Sequence, residues 1–590
     1  MSVEQTSMNQ LITDNIDVWT STVKTKSASG RGSSKKRELY GVKKLRELIL
    51  ELAVRGKLVP QDPTDEPAAV LLDRIAEEKA QLVKDKKIKK PKLLPPLASQ
   101  DLPNLPQGWE WAYFPDIADY APGKTPATKN ATYWDETEKG VPWISIADLN
   151  DTGTVEASSK KVSEVACEQV FKKNPVRSGT MLMSFKLTVG KVSILDVDAY
   201  HNEAIISIFP YTGIQQNYLF KVLPSIANSG NKKNAIMGFT LNSESLAQLT
   251  IPVPPTIEQH RIVTKVGELM TLCDQLEQQT EASIEARQVL VTTLLDTLTN
   301  SADTDELMQN WARISEHFDT LFTTEASIDQ LKQTILQLAV MGKLVPQDPN
   351  DEPAAKLLER IAKEKAQLIK EKKIKKQKAL PPIADDEKPF ELPNGWEWCR
   401  TIDAGNIKLG RQRSPKDHSG PDMKPYLRVA NVHDNRIDTT DVKEMNFTPE
   451  EQKTFSLEYG DILLNEGQSK ELVGRPAMYR NEIPGACFQN TLLRFKVWSG
   501  VDAEFSLLYF RHCLYSGRFQ RAVKQTTNMA HLSAARLIPI EFPLPPEKEQ
   551  IRIVAKVELL AEICEQLKAR LKDSQATQLH LTDAIVEQAV

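Results

Sequence analysis

The stretch GKLVPQDPTDEPAA (56–69) returns almost unchanged as GKLVPQDPNDEPAA (342–355). Around it, residues 52–96 and 338–382 are identical at 36 of 45 positions, at a constant offset of 286. Two further pairs lie outward of this core. LPQGWEW (105–111) matches LPNGWEW (392–398), and PVPPTIEQHRIVTKV (252–266) matches PLPPEKEQIRIVAKV (543–557). Near-constant offsets across three separate blocks mean that one long unit has been duplicated within the chain. The stretches between the blocks, 112–250 and 399–541, share a rhythm but little identity. VPWISIADL (141–149) stands where KPYLRVANV (424–432) does, and GTMLMS (179–184) where GDILLN (460–465) does. Such short apolar runs bounded by Gly, Pro and Asn read as strands of a mixed α/β domain. Drift of surface loops does not explain inserts this different inside frames this similar.

The frame is helical. From 258 onward Ile262, Val266, Leu269, Cys273 and Leu276 step by alternating fours and threes, the seam of a coiled coil. The second copy repeats it with Ile553, Val557, Leu560, Cys564 and Leu567. The seam weakens at Thr280, Ser283 and Arg287 and is expected to resume at Leu290, Leu294 and Leu298. A shorter amphipathic helix precedes each GKLVPQDP, with Val42, Leu45, Ile49 and Leu52 matching Ile328, Leu331, Ile335 and Leu338. Gly56 and Gly342 suit its C-terminal stop. A third helix follows over 65–87 and 351–373, with Pro67 or Pro353 in its first turn. The centre of the chain carries a seam helix and then a short helix. The C-terminus has only the former and the N-terminus only the latter, so the two ends are expected to meet and rebuild the central unit. The expected fold is α+β: two tandem mixed α/β domains separated by long antiparallel coiled-coil helices, pseudo-two-fold within one chain. The alternative use of the seam is to dimerise two chains.

Composition narrows the function. The net charge is −4 over 590 residues, so a nucleic-acid surface must be a local patch. The six cysteines form no CxxC pair, which argues against a zinc or disulfide framework and for a reducing cytoplasm. No apolar run is long enough for a membrane span, and the polar start does not read as a secretory signal. Residues 1–37 read as a disordered polar and basic tail that either touches phosphates or is simply solvated. No phosphate loop is present, since APGKT (121–125) lacks the leading glycine. HExxH, GxSxG and a paired-cysteine metal site are missing too. So is the Asn/Asp-Pro-Pro-aromatic signature of an adenine methyltransferase. The acid–x–Lys triplets are too common in a charge-rich chain to mark a nuclease. No catalytic residue and no metal ligand is proposed, which leaves a reader or a scaffold.

The inserts offer local cations. Residues 172–191 carry Lys172, Lys173, Arg177, Lys186 and Lys191 with no acid, and Thr188 sits among them. Residues 505–536 are also free of acids and include Arg518, Arg521 and Lys524. Insert 399–540 has 20 basic against 16 acidic residues, whereas 110–250 has 13 against 15. Two loops stand out. LGRQRSPKDHSG (409–420) joins Arg411, Gln412 and Arg413, which suit guanine and adenine edges. NEGQSKELVGRPAMY (465–479) carries Gln468, Ser469, Lys470 and Arg475, with SFKLTVGKVSIL (184–195) as its counterpart. Taken singly, each is an ordinary surface charge; the cluster is what points to DNA. The lysine runs 84–92 and 370–378 fit a phosphate clamp and a solvated linker equally well. The paired Trp of GWEW read as core packing rather than base stacking.

Two diverged domains, each entered through LPxGWEW and left through a PLPP-type turn into EQHRIV (258–263) or EQIRIV (549–554), resemble the specificity subunits of type I restriction-modification enzymes. The resemblance covers residues from about 40 to 590 and implies the following layout. A helical region (38–104) is followed by a target-recognition domain (105–257) and a central helical spacer (258–391). A second target-recognition domain (392–548) and a C-terminal helix (549–590) complete it. Each recognition domain would read one half of a bipartite, double-stranded DNA site, and the helices would set the spacer. Two methyltransferase subunits and restriction–translocase subunits would dock on the frame. S-adenosylmethionine, ATP and Mg would belong to those partners, with no cofactor on this chain. The competing expectation is a coiled-coil scaffold whose tandem α/β domains bind protein.

Overall fold

The protein is described by a computed structural model covering residues 8–26, 36–90, 93–97, 102–135, 137, 139–229, 233–235, 238–241, 243–376, 379–526 and 529–590. It divides into two compact units. One is the chain up to Ser283 together with Gln575–Val590, and the other is Ile284–Ser574. Two long helices, Thr256–Asn300 and Glu547–Ala589, each contribute one segment to each unit. At 1.5 Å per residue each is roughly 65 Å long. Both begin two residues before the expected start, directly after a Pro-Pro turn whose second carbonyl accepts a bond from one turn into the helix: Gln259 N to Pro255 O, 2.9 Å, and Gln550 N to Pro546 O, 3.1 Å.

The first unit places the short helix Tyr40–Val54 between two long-helix segments. Arg46 bonds Asp274 and Glu277 at 2.6 and 2.7 Å, while Gln61, beyond the end of the short helix, reaches back to Glu258 at 3.2 Å. The segment 256–283 therefore runs antiparallel to the short helix. On the other side Tyr40 bonds Asp583 at 2.8 Å and Lys57 bonds the Val590 carbonyl at 2.6 Å, so 575–590 runs parallel to it. The two long-helix segments are consequently antiparallel to each other. The second unit repeats the arrangement on the helix Glu325–Val340. Lys332 pairs with Glu565, 2.5 Å, and Asp329 with Lys568, while Gln330 bonds Thr292 at 2.8 Å and Lys343 bonds the Thr299 carbonyl at 2.9 Å. Arg46 and Lys332 are the same position of the repeat.

The seam is buried where expected: Ile262, Val266, Leu269, Cys273 and Leu276, then Ile553, Val557 and Cys564. In the second unit Ile553, Val557 and Cys564 share one core with Ile328, Leu331 and Ile335, and Leu560 and Leu567 pack on it half-buried. The resumed seam holds at Leu298 and departs from the expectation at Leu290, with Leu294 half-buried. Val291, Leu295 and Leu298 are buried while Leu290 is 49% exposed. The step from buried Thr280 to Val291 is eleven residues, three turns of a slightly unwound helix, which carries the apolar stripe one residue past the heptad register.

Residues 8–22 correct the expectation of a disordered tail. They form helices Met8–Asp14 and Ile16–Ser21, with Met8, Ile12 and Trp19 buried. Gly41 sits so close that a Cβ there would lie 2.3 Å from the Trp19 carbonyl, and the Thr22 and Thr582 hydroxyls bond at 3.0 Å. One large indole supplies enough apolar area to order a polar stretch. Residues 1–7 and 27–35 of that stretch lie outside the described residues.

Each insert is built mainly on two small sheets. The first has a five-stranded sheet ordered Ala118–Pro122, Ile205–Pro210, Met181–Ser184, Val192–Leu195 and Gly153–Val155. A three-stranded sheet ordered Tyr200–His201, Val141–Ile144 and Lys160–Val162 accompanies it. The second has Gly405–Leu409, Leu492–Val497, Ile462–Asn465 and Pro476–Met478, with Lys443–Asn446, Met423–Leu427 and Cys487–Phe488 beside it. The entry and exit strands pair antiparallel in both, Glu110–Tyr113 with Thr250–Val253 and Glu397–Arg400 with Glu541–Leu544.

The repeated motifs explain how an insert is fixed to its frame. Trp109 Nε1 and Gln61 Nε2 both donate to the Glu258 carboxylate, at 3.0 and 3.2 Å. Buried Gln259 accepts from Gln215 N and donates to the Pro254 carbonyl, and Arg261 pairs with Asp65 at 2.5 Å. Gln550 and Arg552 repeat this with Asp502 N, the Pro545 carbonyl and Asp351. Lys79 grips Asp116 and Lys365 grips Asp403, 2.7 and 2.8 Å. The two Trp of GWEW separate in role: Trp109 and Trp396 are buried, while Trp111 and Trp398 lie half-buried against the Pro103 carbonyl and Phe390.

Candidate nucleic-acid interface

The two domains share one local construction although their sequences differ. In the first, Gly123 N donates to Ile205 O and Lys124 N to His201 O, at 3.1 and 2.9 Å. In the second, Gly410 N donates to Leu492 O and Arg411 N to Phe488 O, at 3.1 and 3.0 Å. The chain crosses so tightly that a Cβ on Gly123 would lie 1.9 Å from the His201 carbonyl, and one on Gly410 2.2 Å from the Gln489 carbonyl. A loop enters beside each crossing: Phe185 N to Ala204 O and Leu241 N to Phe185 O, matched by Glu466 N to Thr491 O and Leu532 N to Glu466 O. Three backbone segments thus converge at one edge in each domain, and the side chains they carry differ.

In the first domain this edge gathers most of the expected cations. Lys124 Nζ bonds the Val170 carbonyl at 2.9 Å, and the Tyr200 hydroxyl bonds the Lys173 carbonyl at 2.5 Å, which brings the 170–173 stretch alongside the crossing. Lys172, Lys173, Arg177 and Thr188 are exposed. Lys186 lies over the Phe185 ring at 5.1 Å, and Lys191 Nζ is 3.4 Å from the Ile146 carbonyl. Lys124 itself was hidden in sequence by APGKT, which says only that a phosphate loop is missing.

In the second domain the loop 465–475 becomes part of a small sheet, where Gly467–Gln468 pairs with Met529–His531, and that strand with Lys524–Thr526. Ser469 N bonds the Gln468 side chain at 3.2 Å, and Lys470 is exposed. The Lys524 side chain lies outside the described residues. Gln412 and Arg413 are exposed beside the crossing, with Arg413 Nε on His418 at 3.0 Å. Arg411 does not present itself to a base edge. It pairs with Glu451 at 2.8 Å and Asp417 at 3.4 Å, donates to the Asn446 carbonyl and covers the Phe447 ring, leaving only 12% of its side chain accessible. Arg475 is half-buried and burial lowers its pKa. Arg518 lies elsewhere, forked onto Glu541 at 2.8–2.9 Å beside the Arg400–Glu387 pair, around a cavity of about 370 Å³. Arg521 is exposed and donates to the Ser516 carbonyl. Sequence distinguishes none of these, because partner carboxylates such as Glu541 and Glu451 come from distant segments.

Burial pushes the imidazoles of His201, at the first crossing, and His512 down to about 4. Both rings are neutral in the fold, whereas the unfolded chain takes up protons below about 6.5. Their contribution to stability is complete above about pH 6.5 and is lost as the pH falls toward 4. The urea midpoint should therefore fall between about pH 6.5 and 4.5, and fall less in a His201→Gln, His512→Gln double variant; equal falls in both proteins would refute it.

Among the described residues no group of three or more His, Cys, Asp and Glu is placed to hold a metal, and no helix is long and apolar enough to cross a membrane. All six cysteines are unpaired.

A family model for the type I restriction modification DNA specificity domain matches twice, at residues 106–286 and 393–574. The chain is 42% identical to the Type I restriction enzyme EcoEI specificity subunit of Escherichia coli, over 99% of this chain and 100% of the relative. It is 41% identical to the EcoAI specificity subunit of the same organism, with the same coverage. The crystal structure of the HsdS subunit from Thermoanaerobacter tengcongensis aligns at 17% identity and a TM-score of 0.40, over 83% of this chain and 98% of that one. The scaffold alternative finds no support in these relatives. With the recognition-domain model matching both inserts and near-complete coverage of two curated relatives, the chain belongs to the family of type I restriction-modification specificity subunits, the non-catalytic subunits that confer DNA recognition.

Proposed function

We propose that the domain at 105–257 and the domain at 392–548 each read one half of a bipartite, asymmetric DNA site, and that the helices at 258–391 and 549–590 fix the spacer between the halves. The same frame docks two methyltransferase subunits and the restriction–translocase subunit in the cytoplasm. S-adenosylmethionine, ATP and Mg serve those partners. The observation that carries this reading is the matched edge: one backbone crossing made twice, presenting Lys124, Lys186 and Lys191 in one domain and Gln412, Arg413, Gln468 and Lys470 in the other. Cations of this kind fix a protein on phosphates, and the variable polar groups among them supply the sequence preference. The lysine runs 84–90 and 370–376 are exposed and are assigned to solvent or to phosphates outside the half-sites.

A gel-shift titration of the chain assembled with its methyltransferase subunits tests the reading. Neutralising about four phosphates costs roughly a hundredfold in affinity between about 50 and 200 mM salt. Arg413→Ala with Lys470→Ala should reduce the salt slope by about two. A complex indifferent to DNA sequence and to salt would overturn this reading.

A further inference from the structure

The loop after strand Met181–Ser184 contains an anomaly. Thr188 N donates to Lys186 O at 2.8 Å across Leu187, whose φ is +67°. A two-residue-span hydrogen bond around a positive φ is the strained form of the γ-turn, and a branched side chain rarely adopts it. The turn is held from both sides. The Ser184 hydroxyl donates to the Thr188 carbonyl and accepts from Lys191 N at 3.2 Å, and Gly190 N donates to the Ser184 carbonyl at 2.9 Å. Phe185 and Val189 are buried anchors, yet Leu187 between them is 55% exposed. An apolar side chain left more than half exposed on a positive-φ residue adds little to folding, and glycine would relieve the backbone strain. Strain of this kind is retained where a ligand uses it.

The surroundings say what ligand. Lys186 and Lys191 flank the turn, so the partner is anionic, while the leucine requires an apolar surface on that same partner. DNA offers both, as phosphates beside thymine methyl groups and base faces. The counterpart in the second domain sits two residues after the matched backbone contact and is Gln468, a polar side chain. One position thus carries an apolar probe in one reader and a hydrogen-bonding probe in the other.

We propose that Leu187 makes an apolar contact with a base of the half-site read by the first domain and is a specificity-determining residue there. This rests on the DNA-reading function above. The test compares the wild-type chain with Leu187→Gly and Leu187→Asn, each assembled with methyltransferase subunits, on duplexes carrying the motif found by sequencing methylated sites. Leu187→Gly should keep or raise the melting temperature while its affinity for the motif falls roughly tenfold and its affinity for scrambled DNA stays level. Replacing thymine by uracil in the first half-site should abolish the difference between wild type and Leu187→Gly if a methyl group is the contact, and preserve it if a base face is. Equal binding of motif DNA by wild type and both variants overturns the assignment while the DNA-reading function stands. A wild type that does not distinguish motif from scrambled DNA removes the function and the leucine's role together.

Discussion

Replacing residues 112–250 with the first insert of another specificity subunit will change one half of the methylated sequence and leave the other half and the spacer as they were. The expectation follows from where the contacts fall. Gln259 holds the insert from the frame side at Gln215 N, while Glu258, Arg261, Gln61 and Asp65 brace that helix start within the frame, and each has its twin around Glu549, Gln550, Arg552, Gln347 and Asp351. The donor insert must keep the acceptor for Lys79, here Asp116, and the tight turn at Gly213, whose φ is +94° and whose Cβ would strike Leu71. Several base contacts worth about 1–3 kcal/mol each are exchanged at once, so preference for the old half should drop by about a thousandfold or more. Sequencing methylated sites in cells that carry the chimaera reads this directly. A change in both halves, or in neither, contradicts it.

Trp109→Ala will lower the stability of the first unit by about 3–5 kcal/mol. The indole is buried at 4% exposure and carries a hydrogen bond to Glu258, whose carboxyl is pushed above its usual range by burial and held back by that bond and the one from Gln61. Removing the ring opens a cavity and strips one donor from a partly buried carboxylate, and both effects act in the same direction. Hydrogen exchange should quicken across 105–258 and stay unchanged across 399–541. A loss below about 1 kcal/mol, or faster exchange in both domains, would show that the lock is not built as described.

What could be read in the sequence follows its periodicities. The duplicated blocks, the seam and the stop glycines Gly56 and Gly342 (φ +67° and +71°) are local patterns, and local patterns survive folding. The meeting of the chain ends followed from counting half-pairs, and inside the first unit Thr22 does meet Thr582 and Tyr40 meets Asp583. The terminal helices were missed because their apolar residues are few and the weight rests on Trp19. Site residues were legible as clusters only. Lys186, Lys191, Gln412, Arg413 and Lys470 lie at or beside the crossings, but Arg411 is neutralised by Glu451 as well as by its neighbour Asp417, and Arg518 by Glu541, 40 and 23 residues away for the two glutamates. No spacing rule reports such pairs. Leu187 carries no mark in the sequence, because it is uncharged and what distinguishes it is a backbone angle.

The most direct test of the account exchanges both inserts within the one chain, 399–541 into the first frame and 112–250 into the second. Since the two frames grip their inserts through the same residues, the methylated motif should retain both half-sequences with the spacer unchanged. Loss of either half-sequence, or a spacer of different length, would contradict the claim that interchangeable readers sit on a duplicated frame.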